Sequence, residues 1–141
     1  MYLHAVFSTK DRIRFLDTPE LQSELHSYLG GVSKKVDCQP LIVGGVEDHV
    51  HILAAMGRGV SQADWIKEMK RVSSIWMKER HANFGWQSGY GIFSVSVSDI
   101  DSIRQYIASQ EEHHREVTFQ DEFRRLLEEH SLAWDERYVW E

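Results

Sequence analysis

The stretch GGVEDHVHILAAM, residues 44–56, decides how the rest of the sequence is interpreted. It combines aliphatic and β-branched residues with two histidines, His49 and His51, which are separated by Val50. The apolar composition predicts a strand. Side chains alternate between the faces of a strand, so both imidazoles emerge on one face and Val50 on the other. Two histidines side by side on a sheet are either a tolerated polar pair or a pair of metal ligands.

Residues 35–56 predict two strands hinged near Gly44–Gly45, a hairpin with the histidines in its second arm. The segments around this hairpin predict an α+β domain. YLHAVFS, residues 2–8, and GYGIFSVSVS, residues 89–98, have the composition of further strands. Helices are predicted to begin after Asp17 or Thr18, at Ser61 and at Asp99, and the first is predicted to end at Gly30–Gly31.

The resulting order is β-α-β-β-α-β-α. This order predicts a ferredoxin-like or RRM-like sandwich, in which a largely antiparallel sheet has helices packed on one face. Residues 1–141 are expected to form a single domain, because the length suits one core and no linker or repeat is present.

The composition is that of an ordinary globular protein, with 42% hydrophobic and 27% charged residues. The single cysteine, Cys38, excludes an internal disulfide and favours a reducing compartment. No apolar stretch has the length of a signal peptide core or a membrane span. We therefore expect a cytoplasmic protein with no membrane partner.

The charge distribution bears on nucleic-acid binding. The formal net charge of −6 argues against a generally basic nucleic-acid binder. Many of the acidic residues lie between residues 111 and 141. The predicted helix that begins at Ser61 contains four basic residues, Lys67, Lys70, Arg71 and Lys78. A local basic face that contacts phosphates is therefore compatible with an acidic total, although such a group is also typical of a solvated helix face.

The predicted helix DIDSIRQYIASQEEHH, residues 99–114, carries a second set of polar residues. Tyr106 and Gln110 are four residues apart and so share one face. A phenol, with a pKa of about 10, is a poor nucleophile at neutral pH, but a divalent cation would make a bound phosphate more electrophilic. His49 and His51 could hold that cation, with Gln110 completing its ligands. Glu47 and Asp48 are candidates for contacts to the imidazoles.

Four motifs, in unbroken order, carry a family resemblance: DHVHIL (48–53), IKEMKRVSSIW (66–76), WQSGYGIFSVS (86–96) and YIASQEEHH (106–114). Together they resemble the IS200/IS605-like transposases, the single-tyrosine HUH transposases, which include repeat-associated tyrosine transposases. The resemblance covers nearly the whole chain. HUH denotes histidine, hydrophobic residue, histidine, here His49, Val50 and His51.

The resemblance implies a metal-dependent strand transferase. His49, His51 and Gln110 are expected to bind Mg²⁺ or Mn²⁺, and Tyr106 is expected to attack DNA. The products would be a 5′-phosphotyrosine bond and a free 3′-OH, which later rejoins strands. The expected substrate is single-stranded DNA that folds into hairpins, and the expected assembly is a homodimer.

Two alternatives remain open. A non-catalytic descendant of the fold could bind hairpin DNA or RNA as a repressor or structural factor. Tyr90, between two glycines, is a weaker candidate for the nucleophile because it has no glutamine at helical spacing. A histidine-triad nucleotide hydrolase is excluded, since its third histidine would fall on Leu53.

Overall fold

The computed structural model describes residues 1–114, 117–133 and 140. Four strands are formed: β1 Tyr2–Ser8, β2 Gln39–Gly45, β3 His49–Ala55 and β4 Gly91–Val95. The α-helices are α1 Pro19–Lys35, α2 Gln62–Lys78, α3 Ile100–Ala108, α4 Gln110–His113 and α5 Phe119–Glu129. Short 3₁₀ segments span Lys10–Arg12 and Val97–Asp99. Within the described residues, no helix combines the length and the apolarity needed to cross a membrane.

The strands form one sheet in the order β2-β3-β1-β4. Every neighbouring pair is antiparallel. The two central strands are paired so that Ser8 lies opposite His49 and Val6 opposite His51. The predicted α+β class, with an antiparallel sheet and packed helices, is confirmed.

Helices cover both faces of this sheet, rather than the single face expected from the sequence. Leu3, Ala5 and Phe7 of β1 belong to a core cluster shared with α1 and α2. Val6 points to the opposite face and packs in a second cluster with residues of α5. The second layer arises because α5 has its own apolar stripe, which needs a sheet face to cover it.

Capping explains two helix starts. The Thr18 hydroxyl accepts a hydrogen bond from the Leu21 amide at 3.1 Å, and Ser61 accepts one from the Asp64 amide at 3.1 Å. The predicted stop at Gly30–Gly31 is wrong, because α1 continues to Lys35. The next turn adds Val32 and Ser33 to its buried face, so burial extends the helix past the glycines.

The predicted long helix after Asp99 is interrupted. Ser109, with φ −101° and ψ 22°, separates α3 from the short helix α4, which begins at Gln110. Asp99 occupies the N-cap position, but its side chain makes no capping hydrogen bond. Tyr106 and Gln110 are therefore carried by two different helices.

Candidate metal and tyrosine site

The sheet face under α3 and α5 carries the two strand histidines. His49 and His51 are completely buried, and their ring centroids lie 5.1 Å apart. The Nε2 atoms of His49 and His51 lie 3.1 and 3.0 Å from one oxygen, Oε1 of Glu122 on α5. The strand alternation thus places both imidazoles on one face, as the sequence predicted.

Glu122 is the centre of the site. Its Oε1 also lies 3.1 Å from Nε2 of His114, and its Oε2 accepts a hydrogen bond from the Tyr106 hydroxyl. Its side chain is only 1% exposed. Burial raises the pKa of this carboxyl, but the imidazoles of His114, His49 and His51 around it outweigh burial and hold the pKa far below its usual range. One carboxylate therefore links three imidazoles to a phenol.

His49 is oriented by Asp48. The Nδ1 of His49 lies 2.7 Å from Oδ1 of Asp48. A carboxylate only accepts, so Nδ1 donates to Asp48 and Nε2 is the nitrogen that faces the site. Burial lowers the pKa of His49, but the Asp48 and Glu122 carboxylates raise it to about 9. Of the two acids predicted to lie near the imidazoles, Asp48 makes the contact and Glu47 is exposed.

His51 has a different partner. Its Nδ1 lies 2.8 Å from Nε2 of His4 on β1, and the two rings stack at 5.1 Å. Both rings are buried, which lowers the pKa of each imidazole. A row of three histidines therefore runs across β1 and β3 beneath α3.

Tyr106 lies beside the histidines of its own chain. Its ring contacts the edge of His51 at a centroid distance of 5.6 Å. Burial and the neighbouring Glu122 raise the pKa of the phenol above its ordinary value. Gln110, 1% exposed, reaches the same place despite the helix break, since its Oε1 lies 3.2 Å from Nε2 of His49. The structure brings together Tyr106, His49, His51 and Gln110.

The donor atoms form a compact group. One ligand atom each from His49, His51, His114 and Glu122 lies within 4.8 Å of all the others. Such a cluster could hold a divalent metal ion.

Sequence reasoning did not find Glu122, His114 as a site residue, or His4. A signal for Glu122 was present, because it is an acid within the apolar stripe formed by Phe119, Phe123, Leu126 and Leu127 of α5. An acid on the buried face of an amphipathic helix requires a partner. His4 similarly interrupts the apolar strand β1.

The four predicted basic residues lie on α2, on the opposite side of the sheet. These residues are Lys67, Lys70, Arg71 and Lys78. They line a groove of about 830 Å³ together with Lys10 and Trp86. The Lys70 ammonium donates to backbone carbonyls of Gln87 and Gly89 at 2.7 and 2.9 Å, and burial lowers its pKa to about 8. Arg71 pairs with Glu68 at 2.6 Å. Lys67 and Lys78 have no side-chain ion pair within the described part of the chain.

Tyr90 borders the same groove. It is 43% exposed, and the Lys70 ammonium lies 5.4 Å from its ring centroid. No contact among the described residues joins Tyr90 to the histidines. Its position separates it from the group around Glu122.

Comparison with known proteins assigns the chain to a family. The family model described as "Transposase IS200 like" matches residues 1–110. The chain belongs to this family. A search of curated proteins gave no match.

Two solved structures share the IS200-like transposase fold. A candidate transposase from Deinococcus radiodurans R1 is 22% identical, with a TM-score of 0.62, and the match covers 78% of this chain and 90% of that one. A REP-associated tyrosine transposase bound to a REP hairpin is 17% identical, with a TM-score of 0.64 and coverage of 99% and 90%. At these identities the likeness establishes the fold.

Proposed function

We propose that this IS200-like transposase cleaves and rejoins single-stranded DNA that carries hairpins, with Tyr106 as the nucleophile. The phenolic oxygen forms a bond to the scissile phosphorus, and the bond from phosphorus to the 3′ oxygen breaks. The products are a 5′-phosphotyrosine and a strand with a free 3′-OH, which takes up a proton. The observation that carries this proposal is the convergence of the Tyr106 hydroxyl and the histidine Nε2 atoms on one carboxylate, that of Glu122.

The donor set fits a divalent metal. His49 directs Nε2 to the site because Asp48 occupies its other nitrogen. The buried Nε2 of His114 has no hydrogen-bond partner among the described residues, although it lies 3.1 Å from Glu122. We propose that His49, His51 and Gln110 hold Mg²⁺ or Mn²⁺. When bound, the metal polarises a phosphoryl oxygen and offsets the charge that develops there.

The protein's own residues orient the nucleophile and protect the intermediate. The Glu122 Oε2 accepts from the Tyr106 hydroxyl and so fixes the direction of the phenol. The ring of Tyr106 is held against His51 and His4. Because His49, His51 and Glu122 are buried, little water reaches the phosphotyrosine, and a DNA 3′-OH is the preferred attacking group.

We propose that the substrate is a hairpin because the fold is shared with a REP-associated tyrosine transposase bound to a REP hairpin. Lys67, Lys70, Arg71 and Lys78 are proposed to contact its phosphates along the groove of α2. Lys70 does so while holding the loop of residues 87–89, because its ammonium already binds the carbonyls of that loop. Contacts of this kind give affinity without sequence preference.

The assembly is proposed to be a cytoplasmic homodimer. The contacts within one chain favour a Tyr106 that serves the histidines of its own subunit. Mixing a Tyr106→Phe protein with a His51→Ala protein tests this. Activity should stay absent if each subunit contains a complete site, whereas recovery would assign the tyrosine to the partner's histidines.

The main test is covalent capture. Labelled hairpin oligonucleotides drawn from sequences flanking the gene are incubated with protein and Mn²⁺, then separated on a denaturing gel. We expect a protease-sensitive shifted band that is lost with EDTA and in Tyr106→Phe, but kept in Tyr90→Phe, the matched control. An adduct that persists in Tyr106→Phe would refute the assignment. Tight hairpin binding without an adduct in several metals would favour the non-catalytic binding protein.

A further inference from the structure

We propose that His114 and Glu122 join His49, His51 and Gln110 as metal ligands, so that the site contains three imidazoles and one carboxylate. Such a set favours Mn²⁺, Co²⁺ or Zn²⁺ over Mg²⁺, because imidazole nitrogen suits the transition metals whereas Mg²⁺ prefers oxygen. This inference deepens the proposed function, since it concerns the same metal. It assigns α5 a direct part in the site.

The first support is the convergence of donors. Three Nε2 atoms surround Oε1 of Glu122 at 3.0 to 3.1 Å, and the ligand atoms of the four residues lie within 4.8 Å of one another. Ligands held about 2.0 to 2.2 Å from one ion are at most about 4.4 Å apart. Only small movements would therefore bring all four onto a common ion.

The second support is the state of the imidazole nitrogens. The Nδ1 of His114 lies 2.6 Å from the carbonyl oxygen of Val117, which can only accept. Nδ1 must therefore donate, which leaves Nε2 as the nitrogen that faces Glu122. Asp48 imposes the same arrangement on His49. In both residues Nδ1 is hydrogen-bonded, so Nε2 is the nitrogen left to face a cation, and a hydrogen-bonded Nδ1 is typical of metal-bound histidine.

The third support is the arrangement of the carboxylate itself. Oε1 of Glu122 faces the three Nε2 atoms, while Oε2 receives the Tyr106 hydroxyl. A single side chain thus connects the metal ligands to the nucleophile. Glu122 is a positioning residue for Tyr106 as well as a ligand.

Metal binding is measured on the full chain with Co²⁺, by calorimetry and by visible absorption. We expect one Co²⁺ per chain, bound much more tightly than Mg²⁺. Glu122→Gln and His114→Ala should each weaken Co²⁺ binding at least about tenfold and change the absorption spectrum. His81→Ala is the matched control, because His81 contacts Asp17 and Phe15 rather than any of the proposed ligands, and it should leave Co²⁺ affinity unchanged.

Folding is checked for each variant by circular dichroism without metal. Should His114→Ala fail to fold, His114→Gln serves in its place. Wild-type Co²⁺ affinity in folded Glu122→Gln and His114 variants, with loss in His49→Ala, would overturn the proposal and leave the ligand set with Gln110. Absence of metal binding by the wild type would also overturn it, because hydrogen bonds alone would then hold these side chains together. Tight Co²⁺ binding without DNA adduct would uphold this inference while refuting the proposed function.

Discussion

Asp48 acts on the site through one nitrogen of His49. Its carboxylate accepts from Nδ1 at 2.7 Å, which fixes the ring orientation and directs Nε2 toward Glu122. Metal-binding histidines commonly depend on such a partner. Asp48 lies in the bend directly before β3, so the entry to the strand places its carboxylate beside the first residue of β3, His49.

Removing this carboxylate should weaken metal binding at the proposed site. We expect Asp48→Ala to lower Co²⁺ affinity by about 10- to 100-fold, because the imidazole loses both its fixed tautomer and its orientation. Glu47→Ala provides the control, since the Glu47 side chain is exposed and its removal changes the net charge by the same amount. Equal losses in the two variants would mean that only overall charge matters.

His26, on α1, predicts a pH dependence of stability away from the site. Its Nε2 is buried without a hydrogen-bond partner in the described part of the chain, and burial lowers its pKa from 6.5 to about 4. Below pH 6.5 the unfolded chain therefore binds a proton at His26, whereas His26 of the folded chain stays neutral until the pH falls to about 4. The free energy of unfolding should fall as the pH drops from about 6.5 to 4, by about 1 to 2 kcal/mol for this residue after allowance for partial exposure.

The measurement is urea unfolding of the wild type and His26→Gln at pH 7.5 and pH 5. The wild type should lose more stability than the variant over this interval, because glutamine does not titrate. Parallel losses in both proteins would assign the pH dependence to the other histidines.

At the level of elements, Gly44 sets the distance between β2 and α3. A Cβ on Gly44 would lie 2.7 Å from the carbonyl oxygen of Ile107 and 2.8 Å from its Cγ2. Ile107 follows Tyr106 directly, so any shift of α3 moves the proposed nucleophile. A side chain at residue 44 is therefore incompatible with the observed site.

Gly44→Ala is expected to destabilise the protein by about 1 to 3 kcal/mol, because it overpacks this contact. It should also reduce DNA adduct formation more than the loss of folded protein explains. Gly31→Ala on α1 is the matched control, since nothing lies within 4 Å of its added Cβ. That variant should gain about 0.4 to 1 kcal/mol. Thermal melting and the covalent assay measure both effects, and a harmless Gly44→Ala would refute the role given to this contact.

Local signals predicted the elements well where side chains act on their own helix or strand. Thr18 and Ser61 cap their helices through contacts three residues away, which a sequence displays directly. The end of α1 could not be predicted in this way, because burial of Val32 and Ser33 overrides the glycines. The interruption at Ser109 likewise has no local proline or glycine to mark it.

The sequence predicted those parts of the site that lie within short motifs. His49 and His51 lie on one face because strands alternate, and Gln110 reaches His49 although α4 is separate from α3. Glu122 is 71 residues from His51, so its approach depends on how α5 packs on the sheet. The roles assigned to Tyr106, His49, His51 and Gln110 remain predictions until adduct and metal binding are measured.

For the whole molecule, the sheet separates the predicted basic residues from the tyrosine. The lysines belong to α2, which covers the same face of the sheet as α1. Tyr106 belongs to α3, which covers the opposite face. On the tyrosine side, Arg12 and Arg14 line a cavity of about 390 Å³ with His114 and Asp48. That residues 1–141 form one domain remains a prediction. The two groups of cations lie on two different surfaces of a chain that is acidic overall.

These two surfaces should differ when their charges are removed. Lys67→Ala and Lys78→Ala are expected to weaken hairpin binding, and each should reduce the slope of log affinity against log salt by about 0.7 to 0.9 because one phosphate contact is lost. Arg14→Ala should mainly slow adduct formation at saturating DNA, since its cavity adjoins His114, a proposed metal ligand. Binding is measured by fluorescence anisotropy at several salt concentrations, and adduct formation by the gel assay. Arg80→Ala, which removes a cation stacked on Trp76 at 3.6 Å, is the control for net charge. An equal loss of affinity in Arg80→Ala would show that the groove of α2 has no special part in DNA binding, and the hairpin would then have to approach from the tyrosine side alone.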